Sequence, residues 1–370
     1  MDATIKAIYS NKRSADEAAA DLRAQADTIA PKLVIYFASS MYDPIAIASS
    51  MKRSFPSPKL IGCTTAGEIV SGKMLTKSVV AMCIGTDIVE EVAVETLKEI
   101  KTRAGIEKAL SALIGHFSPS EQSLDLKDYI GIILVDGLSG AEEYLMENLG
   151  DLSDLTFIGG SAGDDLKFKK TYVFHDASAQ SNAAVLALLK LRRGFDVIKT
   201  QSFTTTGRKL VASEVDETAR RVISFNHKPA ADAYAEVLDV SVAKAADRFM
   251  SNPLGLMMGP DPYIRSPQRL DGKDMIFYCN VKSGMELEVM SATDIVGDTR
   301  KAVLEKQRQL GGIAGIIDFH CILRTLELRE LKQTDSYGAI FADIPTIGFS
   351  TYGEEYIGHI NQTSTMLVFK

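Results

Sequence analysis

Ile61-Gly62-Cys63-Thr64-Thr65-Ala66-Gly67-Glu68 decides how the chain is read, because its pattern of Ile-Gly, small hydroxyl residues, then glycine and an acid returns twice. The second copy, one residue shorter, is Ile158-Gly159-Gly160-Ser161-Ala162-Gly163-Asp164, and the third is Ile347-Gly348-Phe349-Ser350-Thr351-Tyr352-Gly353-Glu354. An apolar, β-rich run precedes each copy: Leu33 to Phe37, Ile130 to Val135 and Gly315 to Phe319. Each run has the composition of a buried strand. Between run and motif lies a helix-compatible stretch, Asp43 to Arg53, Ala141 to Asn148 or Thr325 to Lys332. The repeating unit is strand, helix, strand, then a glycine-bearing loop.

Such a unit sets its two strands parallel through a right-handed crossover, with both strand ends at one sheet edge. That is the edge where open α/β sheets take ligands. Further β-rich runs, Ser78 to Cys83 and Thr365 to Phe369, follow the motifs and return antiparallel. The expected fold is α/β, a two-domain protein with mixed β-sheets and strand–helix–strand units flanked by helices. Residues 1–225 hold two units; residues 226–370 hold the third, opening with a turn and amphipathic helix at Asn226 to Leu238. Thr293 to Leu310 has the charge pattern of a surface helix, and the Met- and Gly-rich stretch Phe249 to Pro260 that of a loop carrying apolar side chains.

The motif loops admit two readings. Glycine lets backbone N–H groups approach a ligand, hydroxyls donate and accept, and an acid takes a cation or ammonium group. The alternative is tight turns between strands, with Glu68, Asp164 and Glu354 solvated.

The 370 residues, 46% of them hydrophobic, bury a sizeable core. A net charge of −7, spread along the chain without a basic stripe, argues against a nucleic-acid partner. Met1 to Ala30 is charged throughout and lacks a signal peptide's apolar core, and no apolar run reaches membrane-spanning length, so the expected location is the cytoplasm. Cys63, Cys83, Cys279 and Cys321 form no CxxC pair and fit buried apolar positions. Walker, GxGxxG, HExxH and GxSxG signatures are missing, and nothing adjoining Cys63 supplies a general base. No catalytic residue is assigned.

The run Gly62 to Glu68 after the strand at Leu33 to Phe37, then Phe157 to Asp164, resembles the N-terminal half of FIST proteins. Ile344 to Glu354 with Asn361-Gln362-Thr363 resembles their C-terminal half, so the likeness covers nearly the whole chain. It implies a sensory domain of bacterial signalling that binds small ligands such as amino acids and has no established reaction. One subgroup of stand-alone members binds haem, senses nitric oxide and regulates a separate histidine kinase. This chain has that format, and a homodimer is compatible with it. At Phe319-His320-Cys321-Ile322-Leu323-Arg324 it departs from the family's Phe-x-Cys-x-x-Arg pattern, placing an imidazole where a small residue is usual.

Five histidines are available for a haem iron: His116, His175, His227, His320 and His359. His320, ending the strand at Gly315 to Phe319, is the first candidate, and His359, between Glu354 and Asn361, the second. His175 fits a structural strand position, while His116 and His227 adjoin turns and are expected to be exposed. Strand alternation turns Cys321 away from His320. Arg324 suits a haem propionate or an amino-acid carboxylate equally. Thr64, Thr65, Tyr352, Gly353 and Glu354 complete the candidate ligand site. Haem predicts an apolar pocket with an aimed histidine; an amino acid predicts arginine and acid converging in a polar one. Haem with nitric oxide is the first reading, an amino acid or other polar metabolite the second, and a partner-binding scaffold without a ligand the third.

Overall fold

The computed structural model describes residues 4–117, 125–259 and 261–370. Three strand–helix–strand units are present: β1 Leu33–Ser39, α1 Pro44–Ser54 and β2 Lys59–Thr65; β3 Tyr129–Val135, α2 Glu142–Leu152 and β4 Phe157–Ser161; β5 Gly315–Cys321, α3 Ile322–Glu330 and β6 Thr346–Thr351. The chemistry of their ends is local. Asp43 caps α1 by accepting the Ala46 N–H at 2.8 Å, and Pro44 fills the first turn, where no N–H partner is needed.

Within each unit the strands are parallel, and the glycine of Ile-Gly stands opposite the same place in its partner: Gly62 faces Tyr36, Gly159 faces Ile133 and Gly348 faces Asp318. A Cβ there would lie 2.0, 1.7 and 2.4 Å from the carbonyl oxygen of those three residues. The repeated glycine is therefore a close-approach residue of the paired backbones. The isoleucine before it, Ile61, Ile158 or Ile347, is buried in one apolar core shared by the three sheets, with Phe37, Phe319 and Phe349.

The strand after each motif joins the sheet of a different unit. Glu68–Val70 pairs antiparallel with β6, Val173–His175 with β2, and Glu354–Tyr356 with β4. This cyclic exchange ties the three units into one body. The expected antiparallel returns are also present: Val79–Ile84 runs against β1, and β7, Thr363–Phe369, against β5.

Two compact units result. The first comprises Met1–Thr200, Thr299–His359 and Ser364–Lys370; the second comprises Gln201–Asp298 and Ile360–Thr363. Division at residue 225, as the sequence suggests, falls inside the second unit, because strand exchange returns the third repeat to the first. The second unit is an antiparallel sheet in which Phe203–Asp216 pairs with Glu286–Ala292 and Arg221–Phe225, packed on a helix at Ala230–Leu238. Its core holds Phe225, Tyr234, Phe249, Phe277 and Leu287. Leu254–Met258, expected as loop, is a strand paired with Asp261–Arg265; Pro260 lies outside the described residues.

Candidate functional site

At the sheet edge where the motifs end, their polar side chains bond to one another. Thr65 donates its hydroxyl to Glu68 at 2.5 Å, and Ser78 donates both its N–H and its hydroxyl to the same carboxyl at 3.1 and 2.6 Å. Burial pushes Glu68 up to about 7, against the pull of those bonds. Thr64 accepts the Tyr172 N–H at 3.0 Å, and its carbonyl accepts the Gly163 N–H at 2.9 Å. Asp164 accepts the N–H groups of Phe168, Lys169 and Lys170, together with the Tyr352 hydroxyl at 2.6 Å. Burial raises the Asp164 carboxyl, but Tyr352 and these amides outweigh it and hold it below its usual range. Thr64, Thr65 and Tyr352 thus staple loop to loop. Glu68, Asp164 and Glu354 are buried, not solvated.

Gly353 makes room for an imidazole: a Cβ there would lie 2.0 Å from His359 Cε1. His359 Nδ1 is 3.1 Å from Glu355 Oε1, which also accepts the Ser161 hydroxyl at 3.2 Å. Burial alone would lower the His359 pKa, but Glu355, Glu143 and Glu142 push it up to about 10. The pairing with Glu355 favours the protonated imidazole.

His320 is its opposite. It is fully buried on β5, on the same strand face as Asp318, and neither ring nitrogen has a hydrogen-bond partner. Burial first, and the Arg324 charge second, hold it well below the usual histidine range, so the ring is neutral. The Tyr337 ring lies 4.5 Å away by centroid, and Asp318 Oδ2 lies 3.9 Å from Nδ1. Asp318 accepts the hydroxyls of Ser364 at 2.6 Å and Tyr337 at 2.9 Å; burial pushes it up to about 6. Arg324, 1% exposed, donates to Thr299 at 2.9 Å, and Thr325 on the same helix bonds Ser350 at 2.7 Å. A cation, an acid, a phenol and a neutral imidazole converge beneath α3.

The structure thus separates the candidate residues. His320 and Arg324 share one buried cluster; His359, Gly353 and Glu355 form a second; Thr64, Thr65 and Tyr352 belong to the loop staples. Asp318 and Tyr337 escaped the sequence reading. Asp318 carried a signal, standing two residues before His320 and hence on its face of the strand; Tyr337 carried none. His175 is a half-buried strand residue whose Nδ1 meets the Thr96 hydroxyl at 2.9 Å, and His116 and His227 are exposed. The four cysteines are buried and none is in a disulfide. Among the described residues no three His, Cys, Asp or Glu side chains are grouped to hold a metal ion, and no helix is long and apolar enough to cross a membrane.

Haem at His320 would need an apolar slot beside the imidazole. The neighbours here are Asp318, Tyr337, Ser364 and Arg324, and these residues as packed do not fit the macrocycle. A surface concavity of about 770 Å3, lined by Arg23, Asp27, Arg53 and Phe55 among others, is built from residues that precede β1 and β2, at the sheet edge opposite the motifs.

Comparison with known proteins agrees with this architecture. The chain is similar to the uncharacterized protein MJ1623 of Methanocaldococcus jannaschii, 23% identical over 279 residues, which are 71% of this chain and 54% of that protein. The chain therefore spans about half the length of that relative. The FIST N domain model matches residues 32–228 and the FIST C domain model residues 230–356. With three repeats, the exchanged strands and both domain matches in place, the chain belongs to the FIST family of signal-transduction sensor domains.

Proposed function

We propose that this FIST protein senses a small polar metabolite of the amino-acid class, bound among Arg324, Asp318, His320 and Tyr337. One observation carries the reading: both ring nitrogens of His320 are buried without a partner inside a cluster that already holds a cation and an acid. Buried polar atoms are almost always bonded, so two orphaned nitrogens on one buried ring call for an explanation, and a polar ligand is one. A zwitterion matches the chemistry of the cluster: its carboxylate suits a guanidinium, its ammonium suits the Asp318 carboxyl, and its donor and acceptor atoms suit the two orphaned nitrogens of His320. The ligand acts by binding one conformational state better than another. A separate signalling protein in the cytoplasm, such as a histidine kinase, reads that shift, and the sensor itself performs no chemistry.

Haem with nitric oxide is the second reading: a neutral His320 imidazole could ligate iron, but only once the packed side chains of Asp318, Tyr337 and Arg324 moved apart to admit the macrocycle. One experiment separates the two. Thermal melts against a panel of amino acids and dicarboxylates should show a rise of about 2–4 °C for the cognate compound at a hundredfold excess over Kd. That rise should be lost in Arg324→Gln. A saturable Soret band on haemin titration that collapses in His320→Ala, with no response to the panel, would replace this reading by the haem one.

A further inference from the structure

The loop after the second motif has a strained conformation that the staples described above hold in place. Asp165, Leu166 and Phe168 all adopt left-handed backbone, with φ of 55°, 62° and 50°. Side chains other than glycine resist this region, so such a run persists only where its surroundings over-determine it. They do so here. The Tyr352 hydroxyl accepts the N–H groups of Asp164 and Leu166 at 3.2 and 2.9 Å, while the Asp164 carboxylate accepts those of Phe168, Lys169 and Lys170. Ser39 and Ser40 donate to Asp165 at 3.0 and 2.5 Å, and Lys167 donates to Ser40 at 2.8 Å.

This pinning holds an aromatic ring out of the core. Phe168 is 54% exposed and stacks on Tyr352 at 5.0 Å between centroids, with Met41, 37% exposed, following Ser40. Lys167, Lys169 and Lys170 flank the ring, all exposed, on a chain whose net charge is −7. Surfaces that only need solubility do not fix an exposed aromatic in strained backbone. Rigid aromatics ringed by charge are how protein interfaces concentrate affinity.

From this loop we infer that Lys167-Phe168-Lys169-Lys170 is a docking surface for an acidic segment of a partner protein, which seats an apolar side chain against Phe168. Charge complementarity selects the partner: three lysines on an acidic molecule attract an acidic chain and repel a basic one. No step of this inference uses the His320 cluster, so it holds whichever ligand that cluster takes.

Fluorescence anisotropy with a labelled peptide of alternating glutamate and leucine tests it on the full chain. The peptide should bind, more weakly as salt rises, and the same peptide with lysine for glutamate should not. Phe168→Ala should weaken binding about tenfold, as removal of an interface anchor does. Joint reversal of Lys167, Lys169 and Lys170 to glutamate should abolish it. Tyr352→Phe, which removes the loop's pin and leaves its exposed residues in place, should weaken it as well. Melting curves of the surface variants, expected to match the wild type, show that the fold is kept. Failure of the acidic peptide to bind, or binding indifferent to Phe168→Ala and to charge reversal, overturns the proposal. Tighter binding of a single-stranded oligo-dT than of the peptide also overturns it, in favour of nucleic acid.

Discussion

Two histidines in one body have been driven to opposite charge states by their neighbours. His359 sits against Glu355, with Glu143 and Glu142 close enough to keep it protonated up to about pH 10. His320 sits under Arg324 with no carboxylate within hydrogen-bond reach and stays neutral. The sign of the pH effect follows. A base whose pKa is raised on folding contributes stability fully below its unfolded value, near 6.5, and loses it as pH climbs toward about 10. His320, lowered on folding, has no pH-linked effect above 6.5 and costs stability as pH falls below it. His359→Gln should therefore destabilise by about 3 kcal/mol at neutral pH, because it leaves a buried carboxylate unpaired. It should also flatten the decline in stability between pH 7 and 10, roughly the span over which the imidazolium is lost. Denaturant titrations of both proteins across that range check this; a parallel decline in the variant would contradict the assignment. His320 was legible from its place at the end of an apolar run. Its partners were not, since Tyr337 and Ser364 reach it only through tertiary packing.

At the scale of elements, the repeated glycine has a measurable consequence. Gly159→Ala would put a Cβ 1.7 Å from the Ile133 carbonyl, and Gly62→Ala 2.0 Å from that of Tyr36. Each forces paired strands apart, with an expected loss of about 2–3 kcal/mol, in the range of overpacked cores. Gly115 and Gly150 lie on helices with no atom within 4 Å of a new Cβ, so alanine there should stabilise, by up to about 1 kcal/mol. Urea unfolding of the four variants distinguishes packing glycines from propensity glycines; equal effects at all four would refute the distinction. The strand–helix–strand units were legible because the apolar runs, helix stretches and Ile-Gly copies recur in register. The strand exchange was not. Glu68–Val70, Val173–His175 and Glu354–Tyr356 are each three residues long, and nothing in so short a segment says which sheet it joins.

For the whole molecule, that exchange decides what counts as a unit. A sequence division at residue 225 follows the order of repeats, whereas the folded chain assembles all three in one body and sets the antiparallel sheet of Gln201–Asp298 apart. Asn361-Gln362-Thr363, part of the family resemblance, falls in that second unit, where Gln362 accepts from Ser266 at 2.7 Å and donates to the Met250 carbonyl at 3.0 Å. The His320 cluster lies in the first unit, at the junction of β5 and α3 in the third repeat. The measurement that tests the account most directly is the imidazole nitrogen spectrum of His320 by heteronuclear NMR, recorded against pH and then with the amino-acid panel. The account predicts a ring that stays neutral as the pH is lowered through the usual histidine range, with both nitrogen resonances moving when the compound that raises the melting temperature is added. A ring that titrates near 6.5, or resonances unmoved by every member of the panel, would contradict it.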